Sequence, residues 1–282
     1  MRIAVSNIAW PANRRDEAYA ALARRGVDGI EIAPGLLFPD AENSLEPDEA
    51  DVDLALKELA DAGLHILSMQ SLLFGAEDVA LFGSPEQRAR FENAMTAAIA
   101  FAGRLGIPHL VFGSPRQRNI PSNMSDAEAL EVAQMIFKRL GDRAEEAGAR
   151  ISMESNPAAY GTNFLTHFSD SARFVQELDH PAISLILDMG AMHMNDQAQQ
   201  LDEIVRPHAS RLAHVHISEP FLAPAPAETA RAVPVFDFLR DIGYEGAVSI
   251  EMKATQDDPV HYMENALDRL LAAASGEKAR LP

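Results

Sequence analysis

The sequence predicts an α/β fold, a single (β/α)8 barrel, and three observations carry that prediction. Short apolar runs rich in Ile and Val alternate eight times with longer segments of helical period. Glycine separates helix from strand in five of these units, and no linker, low-complexity tract or charge block divides the chain. Eight alternating units imply a parallel sheet, and eight strands favour its closure. An open doubly wound sheet is the alternative, disfavoured because no glycine-rich phosphate loop follows the first strand. A chain of 282 residues, 47% hydrophobic, can bury such a core, so residues 1–282 are expected to form one domain.

The expected strands cover residues 3–9, 29–33, 65–71, 109–113, 150–155, 184–189, 212–218 and 247–252. The expected helices cover 14–25, 48–62, 85–105, 125–147, 168–178, 199–205, 234–242 and 259–274. Local chemistry marks several ends. Pro85 after Ser84 suits a capped first turn, and Ser125 with Glu128 matches a capping box. Gly26, Gly63, Gly106, Gly148 and Gly243 each stand where a helix should stop before a strand.

Composition excludes several functions. Without cysteine there are neither disulfides nor thiolate metal sites. A net charge of -18 repels nucleic acid and anionic membranes. The start MRIAVSNIAW lacks the basic, apolar and small-residue pattern of a signal peptide, and no run approaches the ~20 apolar residues needed to span a bilayer. A soluble, cytoplasmic protein is the expectation.

Function in a barrel gathers at the C-terminal ends of strands, where alternate residues face the interior. In ARISMESNP this alternation turns Ser152, Glu154 and Asn156 inward. In ISLILDMG it turns Ser184, Ile186 and Asp188 inward; in LAHVHISEP, His214, His216 and Ser218; in AVSIEMK, Ser249, Glu251 and Lys253. Four successive strands thus end in a carboxylate or imidazole facing one cavity. Each alone reads more readily as a loop cap or a core group, and His214, one layer deeper, reads as a satisfied core histidine. Together they conflict, because buried carboxylates lose hydration and repel one another. One divalent metal ion resolves that conflict. An oxygen-rich set with one imidazole suits Mn²⁺, Mg²⁺ or Co²⁺, with Zn²⁺ also admissible.

The segments SMESNP, LILDMG, HVHISEP and SIEMK resemble the metal quartet of the xylose-isomerase-like TIM-barrel superfamily, in its sugar phosphate isomerase/epimerase branch. The resemblance extends from AVSNIAW and GVDGIEIAP through nearly the whole chain. It implies a metal held by Glu154, Asp188, His216 and Glu251. It further implies an isomerase or epimerase acting on a small sugar, sugar phosphate or sugar acid through an enediolate, with Glu154 and Glu251 as catalytic proton carriers. Alternatives on the same site are a lyase or dehydratase of a keto-sugar or cyclitol, and an inactive barrel that binds carbohydrate. The extra His and Asp ligands of the endonuclease branch are absent. The family's usual substrate-holding His and Arg are replaced here by Ala191 and Leu222, with His193 the nearest histidine.

Further substrate contacts are expected from Arg116 and Arg118, as anion clamps, and from Lys253, Gln70, Glu31 and His193. Trp10 reads as a pocket wall or core, the methionines around Met192 as an apolar wall or packing, and Glu219 as an orienting partner of a ligand. Residues 220–232, rich in proline, read as a semi-rigid cover or as a contact between copies in a homo-oligomer.

Overall fold

In the computed structural model, which describes residues 1–276, eight parallel strands pair in chain order and close on themselves. They are β1 (Arg2–Ser6), β2 (Gly29–Ile32), β3 (His65–Met69), β4 (His109–Phe112), β5 (Arg150–Met153), β6 (Ile183–Asp188), β7 (Leu212–Ser218) and β8 (Ala247–Glu251). Closure is made by β1 and β8, in register from Arg2 opposite Ala247 to Val5 opposite Ile250. The helices are α1 (Arg15–Arg24), α2 (Pro34–Leu37), α3 (Glu49–Asp61), α4 (Pro85–Leu105), α5 (Asp126–Glu146), α6 (Phe168–Leu178), α7 (Met189–Met194), α8 (Leu201–Ile204), α9 (Thr229–Asp241) and α10 (Pro259–Ala274). This is a (β/α)8 TIM barrel. Residues 277–282 of the expected domain lie outside the described residues.

Helix ends follow the local chemistry. Both long helices on one flank, α4 and α5, open with a full capping box, Ser84 with Gln87 and Ser125 with Glu128. Gly106 closes α4 at φ 67°, a left-handed conformation open to glycine without penalty. Between the helices and the sheet, phenylalanines meet edge to face: Phe112 on Phe137 at 4.9 Å, and Phe137 on Phe174 at 5.7 Å. Each such buried side chain stabilises the fold by about 1.5–3 kcal/mol.

The barrel interior is polar below the site. Ser152 and Ser184 lie 3.0 Å apart, and His109 stacks on His214 at 6.2 Å. Among the described residues no helix is long and apolar enough to cross a membrane.

Several element boundaries differ from the sequence expectation: β2 to β6 each end one or two residues early, and the short α2 was not expected. β1 ends at Ser6, because Asn7 turns to bond the Ala33 backbone through both its amide atoms. A short helix, α7, follows β6 at once, its first turn capped by the Asp188 carboxylate; α8 is therefore a separate turn. α9 begins at Thr229 rather than at Pro234. The proline lies near enough to the helix start that it deletes only one early intrahelical bond.

Candidate metal centre

The ends of β5 to β8 bring together the four residues that the strand alternation turned inward. Asp188 pairs in register with His216, and Ser218 with Glu251. Glu154 follows β5 directly, its backbone N–H donating to the Phe112 carbonyl at 3.1 Å. One ligand atom from each of Glu154, Asp188, His216 and Glu251 lies within 4.8 Å of all the others. His216 Nδ1 stands 3.3 Å from Glu154, 3.3 Å from Glu251 and 3.7 Å from Asp188.

Neighbours fix these carboxylates. Asn156 donates to Glu154 Oε2 at 2.8 Å, and Ser218 donates to Asp188 Oδ2 at 2.7 Å. The other Asp188 oxygen takes the Ala191 N–H, so this side chain both caps α7 and faces the cluster. Arg118 donates to the Glu154 carbonyl at 2.8 Å and lies beside the Phe112 ring. Gly113 leaves the space that the Glu154 carboxylate fills; a Cβ there would overlap Oε2.

Beneath the cluster sits a buried carboxylate. Glu31 accepts from His216 Nε2 at 3.0 Å, His214 Nε2 at 2.9 Å, Ser68 at 2.6 Å and Gln70 at 2.8 Å. Burial alone would raise the Glu31 pKa, but the two imidazoles override it and hold the group below its ordinary value. An ionised Glu31 only accepts, so His216 keeps its Nε2–H on that side and turns Nδ1 towards the three carboxylates. That Nδ1 is fully buried and has no hydrogen-bond partner.

The electrostatics fit a divalent cation. Burial pushes the Glu251 carboxyl up to about 7, against the pull of His216 and with the added repulsion of Glu154 and Asp188. Burial would lower the His216 pKa, yet Glu31 and Glu251 raise it well above its ordinary value. Three carboxylates and an orphaned imidazole nitrogen form a donor set that a hard divalent ion would satisfy.

The cluster floors a cavity of about 590 Å³ that also takes in Gln70, Arg116, Tyr160, Leu222 and Lys253. The other sequence candidates fall elsewhere. Arg118 is fully buried under the loop, and Glu31 lies a layer below the cavity floor. His193 is half-buried outside the main cavity, with Nδ1 3.4 Å from Arg231. Glu219 bonds the Ala227 N–H and Arg231, pinning the loop before α9 rather than orienting a ligand. Trp10, Met189 and Met192 belong to the core. The sequence assigned no role to Asn156 and Ser218, although the alternation placed them inward. Tyr160, whose hydroxyl accepts the Phe221 N–H at 2.9 Å, carried no signal at all.

The sequence profile of the xylose isomerase-like TIM barrel matches residues 19–273. The chain belongs to this family. A search of curated proteins by sequence gives no significant match. Among solved structures, this family member is similar to the 3-keto-D-glucoside 4-epimerase of E. coli, with a TM-score of 0.77 and 20% identity over 96% of this chain and 99% of that one. It is similar to the D-psicose 3-epimerase of Clostridium cellulolyticum H10 solved with D-tagatose, with a TM-score of 0.77 and 16% identity over 97% and 99%. The IOLI protein, solved with a zinc atom, matches with a TM-score of 0.71 and 14% identity over 98% of each chain. Likeness at these identities establishes a common fold.

Proposed function

We propose that this family member is a metal-dependent isomerase or epimerase of a small sugar, sugar phosphate or sugar acid. The observation that carries the reading is the convergence of Glu154, Asp188, His216 and Glu251 at the base of one open cavity. The zinc of the IOLI protein and the D-tagatose of the psicose epimerase support a metal and a carbohydrate ligand. A net charge of -18 argues against nucleic acid as substrate.

Asp188, His216, Glu154 and Glu251 would hold Mn²⁺, Mg²⁺ or Co²⁺, and would also accommodate Zn²⁺. When bound there, the ion would supply Lewis acidity that stabilises negative charge developing on the substrate. One of the two glutamates takes the proton from the carbon beside the carbonyl, leaving the enediolate. The other returns a proton to the opposite face or to the adjacent carbon. Glu251 and Glu154 stand on either side of His216 Nδ1, each 3.3 Å from it, which suits the two carboxylates to act on a substrate from two directions. Asn156, bonded to Glu154, keeps that carboxylate aimed while it exchanges its proton. Arg116 and Lys253 on the cavity wall receive a substrate phosphate or carboxylate.

Incubation of the manganese-loaded protein with a panel of ketoses in D2O tests the reading. Deuterium entering beside the carbonyl, lost in Glu154→Gln and Glu251→Gln, is the expected result. Tight manganese binding without exchange into any sugar or sugar acid would reject it.

A further inference from the structure

Three polar side chains that line the cavity beside the carboxylates have their protons already committed. Gln70 donates to Ser6 at 2.6 Å and to Glu31 at 2.8 Å. Asn156 donates to Glu154 and to the Ser155 carbonyl, and Ser218 donates to Asp188. Tyr160 is different. Its hydroxyl accepts the Phe221 N–H at 2.9 Å, while its own proton meets no acceptor among the described residues. A phenol accepts and donates at once, so this donor is free.

The phenol shares the cavity with Glu154, Asp188 and Glu251. Burial, opposed by the Phe221 N–H and reinforced by the charges of Asp188, Glu251 and Glu154, pushes its pKa up to about 12. It therefore keeps its proton at neutral pH. It bonds none of these carboxylates, which leaves space for a ligand between the donor and the ion site.

Its surroundings hold it in place. The Tyr160 and Phe221 rings meet edge to face at 5.8 Å. Phe221 and Leu222 both adopt φ 59°, a region that non-glycine residues rarely occupy, and the Leu222 carbonyl accepts the Lys253 N–H at 2.9 Å. The turn Ala158–Tyr160 is in turn tied to the loop after β4. The Asn119 amide donates to the Gly161 carbonyl at 2.6 Å, and Ile120 and Asn163 exchange hydrogen bonds at 2.7 and 3.0 Å. A braced, strained turn beside an unused donor is the setting of a ligand contact.

We propose that the Tyr160 hydroxyl donates a hydrogen bond to the substrate oxygen on which charge gathers as the enediolate forms. It is then a catalytic residue that keeps its own proton throughout. A donor fixed before the reaction stabilises developing charge without having to reorganise. This inference rests on the isomerase reading of the site and adds to it a residue outside the four ligands.

Deuterium exchange by the manganese-loaded protein tests it, with the ketose, ketose phosphate or keto acid that wild type exchanges fastest. Tyr160→Phe should lower kcat by about 100-fold, with KM little changed and manganese affinity kept. That variant also strips the Phe221 N–H of its acceptor, so a second series separates donation from anchoring. Monofluorotyrosine and difluorotyrosine inserted at position 160 keep the acceptor oxygen and strengthen the donor. Across them kcat should rise with the acidity of the phenol. Wild-type kcat in Tyr160→Phe would overturn the inference. So would a loss in Tyr160→Phe with kcat flat across the fluorinated series, which would assign the hydroxyl to anchoring the loop. Either outcome leaves the isomerase reading standing. No exchange by wild type into any sugar or sugar acid would reject that reading and this inference with it.

Discussion

The Glu31 carboxylate lies 3.0 Å from Nε2 of His216, on the side of the ring away from Glu154, Asp188 and Glu251. A carboxylate in this place sets both the tautomer and the orientation of a histidine ligand. Replacement of Glu31 by Gln should therefore weaken manganese binding by about 10–100-fold. Titration of the metal followed by electron paramagnetic resonance reads this directly. Wild-type affinity in the variant would mean that the ring is held by packing alone.

Gly113 should be as sensitive as a ligand, although it has no side chain. A methyl group there overlaps Glu154 Oε2, while the backbone at this position demands no unusual φ. Gly113→Ala should keep the fold and misplace the carboxylate. A shift on the order of 1 Å at a reacting group lowers the rate by about 100-fold. Deuterium exchange alongside circular dichroism separates this outcome from unfolding; full exchange activity would contradict it.

Much of this site is legible in the sequence, because period-two alternation on four successive strands sends Glu154, Asp188, His216 and Glu251 to one side. The relation of Glu31 to His216 is not, since β2 and β7 are not neighbours and only closure of the ring brings them together. Arg118 shows a different limit. Its sequence context reads as an exposed loop, yet the turn Pro115–Arg118 folds it beneath the strand ends, where it bonds the Glu154 carbonyl. Whether a loop charge faces water or the core depends on packing that no local pattern encodes. Helix α7 was hidden because its cap, Asp188, also belongs to the ligand set.

Stability should fall with acid through His109. Burial, with the neighbouring charges of His214 and Arg150, lowers its pKa to about 4 from 6.5. Between these values the unfolded chain takes up a proton that the folded chain refuses. The resulting stability is fully present above pH 6.5 and is lost as pH falls towards 4. The slope is about 1.4 kcal/mol per pH unit at most. Urea unfolding at pH 6.5 and pH 5 should show wild type losing up to about 2 kcal/mol more than His109→Phe. Equal losses would contradict it.

Chelation should lower the melting temperature. A metal that binds only the folded chain stabilises it by about 4 kcal/mol at a thousandfold excess over its dissociation constant. Differential scanning calorimetry with and without chelator measures the difference. Asp188→Asn should blunt the response, because it weakens one ligand and its bond with Ser218.

The central claim is one divalent ion shared by four residues, and anomalous diffraction from crystals soaked in manganese tests it most directly. The expected result is a single strong anomalous peak within coordinating distance of Glu154, Asp188, His216 and Glu251. Manganese bound elsewhere, with these carboxylates splayed apart and His216 Nδ1 turned away, would contradict it.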